Sequence, residues 1–254
     1  MTTIKSEKEI QIIKEGGKIL ATVIKELEKM VKPGITTLEL DRAAEALILS
    51  SGAKPAFKGY DGFPYSLCAS VNENIVHGLP SNYVLKNGDI LKLDLGVLYN
   101  GYNTDMAITV AVGEVSFEAK RLMNVTKKSL RLGIKKAKIG NTVGDIGNTV
   151  GRFVEDQGFG VVRDLCGHGI GKNLHEDPKI PNFGKRGSGE KLVEGMVICI
   201  EPMVTMGDWQ IKRSKDGYGY QTKDDSLSAH FEHTLAITKN GPVILTLRPN
   251  DSKF

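Results

Sequence analysis

Residues 91–112, LKLDLGVLYNGYNTDMAITVAV, constrain the fold more than any other stretch of the chain. Two strand-like runs flank Asn100-Gly101, and Asn-Gly is the strongest short signal for a two-residue hairpin loop. With those two residues as the loop, Tyr99 faces Tyr102, Gly96 faces Asp105 and Asp94 faces Ala107. Asp94 and Asp105 then become diagonal neighbours on one face, roughly 7–8 Å apart at the backbone. Leu93, Leu95, Met106, Ile108 and Val110 turn to the other face. Two like charges so close repel, and one carboxyl pKa rises unless a cation intervenes. Burying a carboxylate is also costly without a partner, and the strands supply none. Taken alone, the pair also admits a plainer reading, with one aspartate as a turn residue at a sheet edge.

Three later stretches add the same chemistry. CGHGIGKNLHEDP carries His168 and His175 in a glycine-rich loop. ICIEPMV places Glu201 at the end of an apolar strand, before Pro202, which cannot donate to a ladder. SAHFEHTLAIT places Glu232 on a strand, sharing a face with Thr234 and Ala236. Four carboxylates and one imidazole form an oxygen-rich donor set, which suits Mn, Fe(II), Co or Zn rather than a closed thiolate site. Individually, Glu201 reads as a turn cap and Glu232 as an edge residue. Their joint occurrence at strand ends favours a metal site.

The rest of the chain suggests a frame. Apolar residues at spacings of three and four predict a helix over 6–31 (Ile10, Ile13, Gly17, Leu20, Ile24, Leu27), stopped by Pro33-Gly34. Thr36 with Glu39 reads as a capping box for a helix through Leu49, closed by Gly52. Helical patterns recur over 116–138 and 145–157, and KIGNTVGDI aligns with KPGITTLEL at an offset of 106 residues. The offset carries the run around Asp94 onto VICIEPMV. Two diverged helix–helix–strand units, about 6–112 and 113–248, would make one compact α+β domain with pseudo-twofold symmetry.

Composition excludes little. Three cysteines, Cys68, Cys166 and Cys199, match neither a disulfide framework nor a zinc ribbon, and fit a reducing, cytoplasmic compartment. The net charge of +4 is mild. No apolar run reaches membrane-spanning length, and the charged N-terminus is unlike a signal peptide. Lys120, Lys127, Arg131, Lys135 and Lys138 read as one basic face of the third helix, most simply a solvated one.

The motif order VNENIVHGLP, LDLGVLYNGYNTDMA, CGHGIG, LHEDP, IEPMV and KDDSLSAHFEHT resembles the type I methionine aminopeptidases of the short bacterial kind, from the first helix to about residue 248. The resemblance implies the pita-bread fold, two related αβ halves around a central antiparallel sheet, with two divalent metal ions (Co, Mn, Fe(II) or Zn) in the cleft. It implies Asp94 and Asp105 as chelating and bridging ligands, His168 and Glu201 on the second ion, and Glu232 bridging. Glu201 would also be the general base, with His77 and His175 contacting substrate. Tyr60, Phe63, Cys68 and Tyr218 would line a methionine pocket. Phe57, Leu174, Phe63, Tyr218 and Asp61 depart from residues common in relatives.

Further expectations follow from the resemblance. They are a monovalent cation near Asn72, Asn74 and Ser228, removal of the initiator methionine from nascent N-termini with a small second residue, a monomer, and no direct DNA or membrane binding. Ribosome contact through the basic face is the sharper reading of those lysines. Prolidase-like enzymes share the ligand set but carry a sizeable domain before the catalytic one, and only about 75 residues precede His77. A non-catalytic binding module of the same fold is the alternative from another class.

Overall fold

The chain is described as a computed structural model over residues 2–248. Four α-helices lie among the described residues: α1 (Glu7–Met30), α2 (Thr37–Ser50), α3 (Phe117–Lys136) and α4 (Val143–Asp156). Capping explains where three of them begin. Ser6 with Glu9, Thr36 with Glu39 and Thr142 with Asp145 each form a reciprocal box, in which hydroxyl and carboxylate satisfy N–H groups that the first turn leaves free. The Thr142 box starts α4 two residues earlier than hydrophobic spacing predicts. Gly52, at φ +73°, lies just past the end of α2 in a conformation glycine tolerates best. Lys120, Lys127, Arg131 and Lys135 lie on α3, with Lys127 and Arg131 half-buried, whereas Lys138 falls beyond its last residue.

The hairpin forms with the predicted register: Tyr99 pairs with Tyr102, Gly96 with Asp105 and Asp94 with Ala107. Its first strand, Ile90–Tyr99, is flanked on its other side by Leu67–Val71, which sets Cys68 opposite Asp94. Leu93, Leu95, Met106 and Ile108 turn inward and pack with Leu20, Ile24 and Leu27 of α1 and Leu40 of α2 in the main core. Close approach fixes how α1 lies. A Cβ on Gly17 would stand 2.3 Å from the Leu245 carbonyl oxygen, so only glycine lets helix and C-terminal segment touch there.

A second sheet orders its strands 241–244, 233–238, 197–200, 167–169 and 176–180. A smaller one orders 228–230, 203–205 and 160–161. The two share one antiparallel alignment, because residues 197–205 run against 228–238 throughout. His233 pairs with Ile200 and Met203 with His230, while the ladder opens between them around Glu201-Pro202 and Phe231-Glu232. The prediction that Glu232 sits within a strand is therefore corrected. It lies in a two-residue interruption, because its N–H donates to the Ala107 carbonyl of the hairpin at 2.9 Å.

That bond is one of several stitches between hairpin and second sheet. The Asp105 N–H donates to Thr234 Oγ1 at 2.9 Å, and the same hydroxyl donates to the Asp105 carbonyl at 2.8 Å. Thr109 Oγ1 accepts from the His230 N–H at 2.9 Å and donates to the His230 carbonyl at 2.7 Å. These buried bonds hold the acidic face of the hairpin against the open part of the ladder.

Candidate metal centre and active-site cleft

The stitches bring the acidic residues together. One ligand-competent oxygen each from Asp94, Asp105 and Glu232 lies within 4.8 Å of the others, and all three residues are buried. His168 faces them. Its Nδ1 bonds to the Gly169 carbonyl at 2.9 Å. A carbonyl only accepts, so the proton sits on Nδ1 and Nε2 is left with its lone pair. Nε2 stands 3.6 Å from Glu201 Oε1 and 4.0 Å from both Asp105 Oδ2 and Glu232 Oε1.

This grouping is unfavourable for a bare protein. Asp94 Oδ1, Asp105 Oδ1 and Glu232 Oε1 are buried without a hydrogen-bond donor. Burial lifts the Asp94 carboxyl to about 7. Burial, then the charges of Glu232 and Asp94, drive Asp105 well above the carboxylate range. Glu201 and Glu232 rise for the same reasons, burial first and neighbouring carboxylates after it. Burial pulls His168 down to about 3, which keeps it neutral. Convergent carboxylate oxygens lacking donors, beside a neutral imidazole lone pair, are the donor set that divalent cations satisfy. The residues fit such ions. Cys199 Sγ also lies within 4.8 Å of ligand atoms of His168 and Glu232. Its thiol approaches Thr234 Oγ1 at 3.4 Å, and burial among carboxylates raises its pKa well above the usual value, so it packs as a neutral group.

The cluster floors a cavity of about 480 Å³, lined also by Tyr60, Phe63, Cys68, His77, His175 and Tyr218. The structure thus gathers around one cavity every residue singled out from the sequence as ligand, base or pocket wall. Phe63 packs edge-on against Tyr218 at 5.9 Å, and Tyr218 OH donates to the Gly62 carbonyl at 3.1 Å, which ties one wall together. Phe57 and Leu174 complete an apolar side. His175 bonds through Nδ1 to Tyr60 OH at 2.9 Å and lies edge-on to His168 at 4.4 Å. His77 holds φ +57° in the turn after Asn74–Val76. Solvent reaches its ring through the cleft, yet protein encloses enough of it to lower its pKa to about 4, with His175 and Arg213 adding to the effect.

Some residues of the cleft were missed in the sequence. Leu165, Arg213 and Tyr220 line it. Arg213 and Tyr220 come from short strands with no periodic signal. His230 is fully buried, with Nε2 3.7 Å from Glu201 Oε2. Its signal was present: it stands two residues before Glu232, the spacing that puts strand residues on one face. Where a monovalent cation is expected, near Asn72, Asn74 and Ser228, the side chain of Lys92 enters. The Asn72 and Ser228 carbonyls accept from Lys92 Nζ, at 2.6 and 3.1 Å.

Comparison with known proteins agrees with this chemistry. Residues 11–239 match the metallopeptidase family M24. The methionine aminopeptidase of Clostridium perfringens is 51% identical over 247 residues, covering 97% of this chain and 99% of the relative. Methionine aminopeptidase 1 of Bacillus subtilis is 47% identical over 246 residues, 97% of this chain and 99% of the relative. The crystal structure of methionine aminopeptidase from Thermotoga maritima superposes with a TM-score of 0.95 at 44% identity, over 97% of this chain and 99% of that one. The prolidase of Pyrococcus horikoshii superposes at 0.80 with 27% identity, over 98% of this chain but 64% of its own. The α+β pita-bread body expected from the motifs is therefore present, and by both sequence and structure this chain belongs to metallopeptidase family M24.

Proposed function

We propose that the chain is a metal-dependent methionine aminopeptidase that removes the initiator methionine from nascent proteins when the second residue is small. One observation carries the reading: a donor set of four carboxylates and a neutral histidine floors a cavity whose remaining wall is apolar and aromatic. Asp94, Asp105, His168, Glu201 and Glu232 would hold two divalent ions, Co, Mn, Fe(II) or Zn. Bound there, such ions supply Lewis acidity that lowers the pKa of water and polarises the first peptide carbonyl.

The protein's own groups do the rest. Glu201, the carboxylate nearest His168 Nε2, accepts the proton that water gives up and returns it to the departing amine. His77, neutral at physiological pH, offers an N–H to the substrate backbone and steadies the developing oxyanion. His175, with Nδ1 held by Tyr60, has Nε2 left for the scissile carbonyl region. Tyr60, Phe63, Cys68 and Tyr218 enclose an unbranched apolar side chain, which methionine fills with little strain.

In this reading residues 1–254 form one catalytic domain with related halves, about 6–112 and 113–248. The enzyme works as a monomer in the cytoplasm on emerging N-termini, with ribosome contact through α3, and needs neither DNA nor membrane. Among the described residues no helix is long and apolar enough to cross a membrane. Reversing the charges of Lys120, Lys127 and Lys135 and measuring ribosome co-sedimentation across salt concentrations tests that contact; unchanged binding removes it. The test of the activity is methionine release from Met-Ala-Ser and Met-Leu-Ser by metal-stripped protein with Mn(II) or Co(II) restored. Metal-dependent cleavage of the first alone supports the reading. A folded protein inert with every metal points instead to a binding module.

A further inference from the structure

Lys92 is fully buried on the hairpin strand, two residues before Asp94 and between Leu91 and Leu93. Among the described residues no carboxylate comes within ion-pair distance of it. Its Nζ donates to two main-chain carbonyls, Asn72 O at 2.6 Å and Ser228 O at 3.1 Å. Ser228 Oγ donates to Asn72 O at 3.1 Å and to Asn74 O at 3.2 Å, and the Ser228 N–H also reaches Asn72 O. Carbonyl oxygens from two separate segments therefore gather around one amino group. The chain enters the 72–74 turn through Asn72 at φ +52°, which aims its carbonyl inward, while the Asn72 side chain is held by Asp89 and by the Ile90 N–H.

Neutral carbonyl dipoles converging on one point, with no carboxylate, are the usual surroundings of a sodium or potassium ion. The resemblance to the aminopeptidases led to that expectation for this place. The residues present do not leave room for it. We propose that the Lys92 amino group is a built-in replacement for a monovalent cation, so that this chain binds neither sodium nor potassium here. The side chain is a positioning residue. It joins three segments that lead into the cleft: the strand of Asp94, the turn that precedes His77, and the strand that runs into Glu232. A dissolved ion can leave such a place when its concentration falls. A lysine cannot, and its strand fixes the direction of approach.

The experiment compares the wild-type chain with Lys92→Ala and Lys92→Met in NaCl, KCl and tetramethylammonium chloride at equal ionic strength. Tm is recorded on metal-stripped protein, which makes this readout independent of the peptidase reading. Methionine release is recorded after Mn(II) is restored. The wild-type Tm and turnover are expected to be the same in all three salts. Lys92→Ala, which opens the space, is expected to lose several degrees and to regain most of them saturably in NaCl or KCl but not in the bulky cation. Lys92→Met fills the space with an apolar chain and is expected to show no recovery. A saturable rise in wild-type Tm with sodium or potassium overturns the proposal, because the ion would then bind despite the lysine. So does a folded Lys92→Ala that no alkali cation restores. Should Lys92→Ala fail to fold, Lys92→Asn takes its place, and the wild-type titration remains decisive without any variant.

Discussion

Replacing Thr234 with valine tests how the metal-centre carboxylates are held. The Thr234 hydroxyl accepts from the Asp105 N–H and donates to the Asp105 carbonyl, both inside the protein. Valine has nearly the same volume, so packing is conserved and the hydroxyl alone is lost. The buried Asp105 N–H is then orphaned, at a cost of about 1–3 kcal/mol, and the second bond contributes about 0.5–1.5 kcal/mol. The sum is roughly 2–4 kcal/mol. At about 2–4 °C per kcal/mol for a chain of this size, Tm falls by roughly 5–15 °C. Thr234→Ser keeps both bonds and removes one methyl group, costing about 1 kcal/mol. A purely steric account predicts the reverse order, with valine benign and serine harmful. Urea unfolding of metal-stripped protein followed by circular dichroism gives the two stabilities. Calorimetric titration with Mn(II) should show the valine variant binding about 10–100-fold more weakly, since Asp105 loses its orientation. A valine variant as stable as wild type, or a serine variant less stable than valine, refutes the argument.

Four further outcomes are expected. Glu201→Gln keeps the fold and loses turnover, read as methionine release alongside an unchanged far-ultraviolet spectrum; near-normal release removes Glu201 as the base. Gly17→Ala is destabilising although alanine improves helix propensity by about 1 kcal/mol, because the added methyl meets the Leu245 carbonyl at 2.3 Å. Gly16→Ala, whose methyl comes no closer than 3.2 Å to any neighbour, the Tyr99 Cβ, serves as the control and should cost less in urea. His77 has its pKa lowered to about 4 from 6.5, so the unfolded chain binds more protons between those values. Stability therefore rises with pH across that window and is lost as pH falls through it. A plot of unfolding free energy against pH should be flatter there for His77→Asn, and an unchanged slope counts against the assignment. Finally, Mn(II) loading should displace protons from the raised carboxyls, so apparent affinity climbs from pH 6 to 8. Calorimetric heats that do not vary with buffer ionisation enthalpy would contradict this.

Local signals made part of this molecule readable. Asn100-Gly101 allows a two-residue loop, and a two-residue loop determines every pairing in the hairpin. The register of Asp94 and Asp105 therefore followed from the single stretch 94–107. The interruption at Glu232 did not, because its cause is a hydrogen bond to Ala107, 125 residues earlier. No pattern within SAHFEHT records that bond. Leu165, Arg213 and Tyr220 reach the cleft from short segments placed by the rest of the fold. Lys92 stands in the same stretch. A lysine inside LKLDLG poses the same question as the aspartate beside it, and alternation puts the two on one face.

The contact between Gly17 and Leu245 has a consequence for how the protein comes into being. Residues are made from the N-terminus, so α1 leaves the ribosome well before the Leu245 carbonyl on which it rests. Arg248, which bonds to Glu28 at 2.8 Å, arrives later still. Throughout elongation the apolar side of α1 lacks part of its final surroundings, and contacts this distant in sequence form slowly. An element made early is thus completed late, and until then it is an exposed apolar surface on which an unfinished chain can go astray.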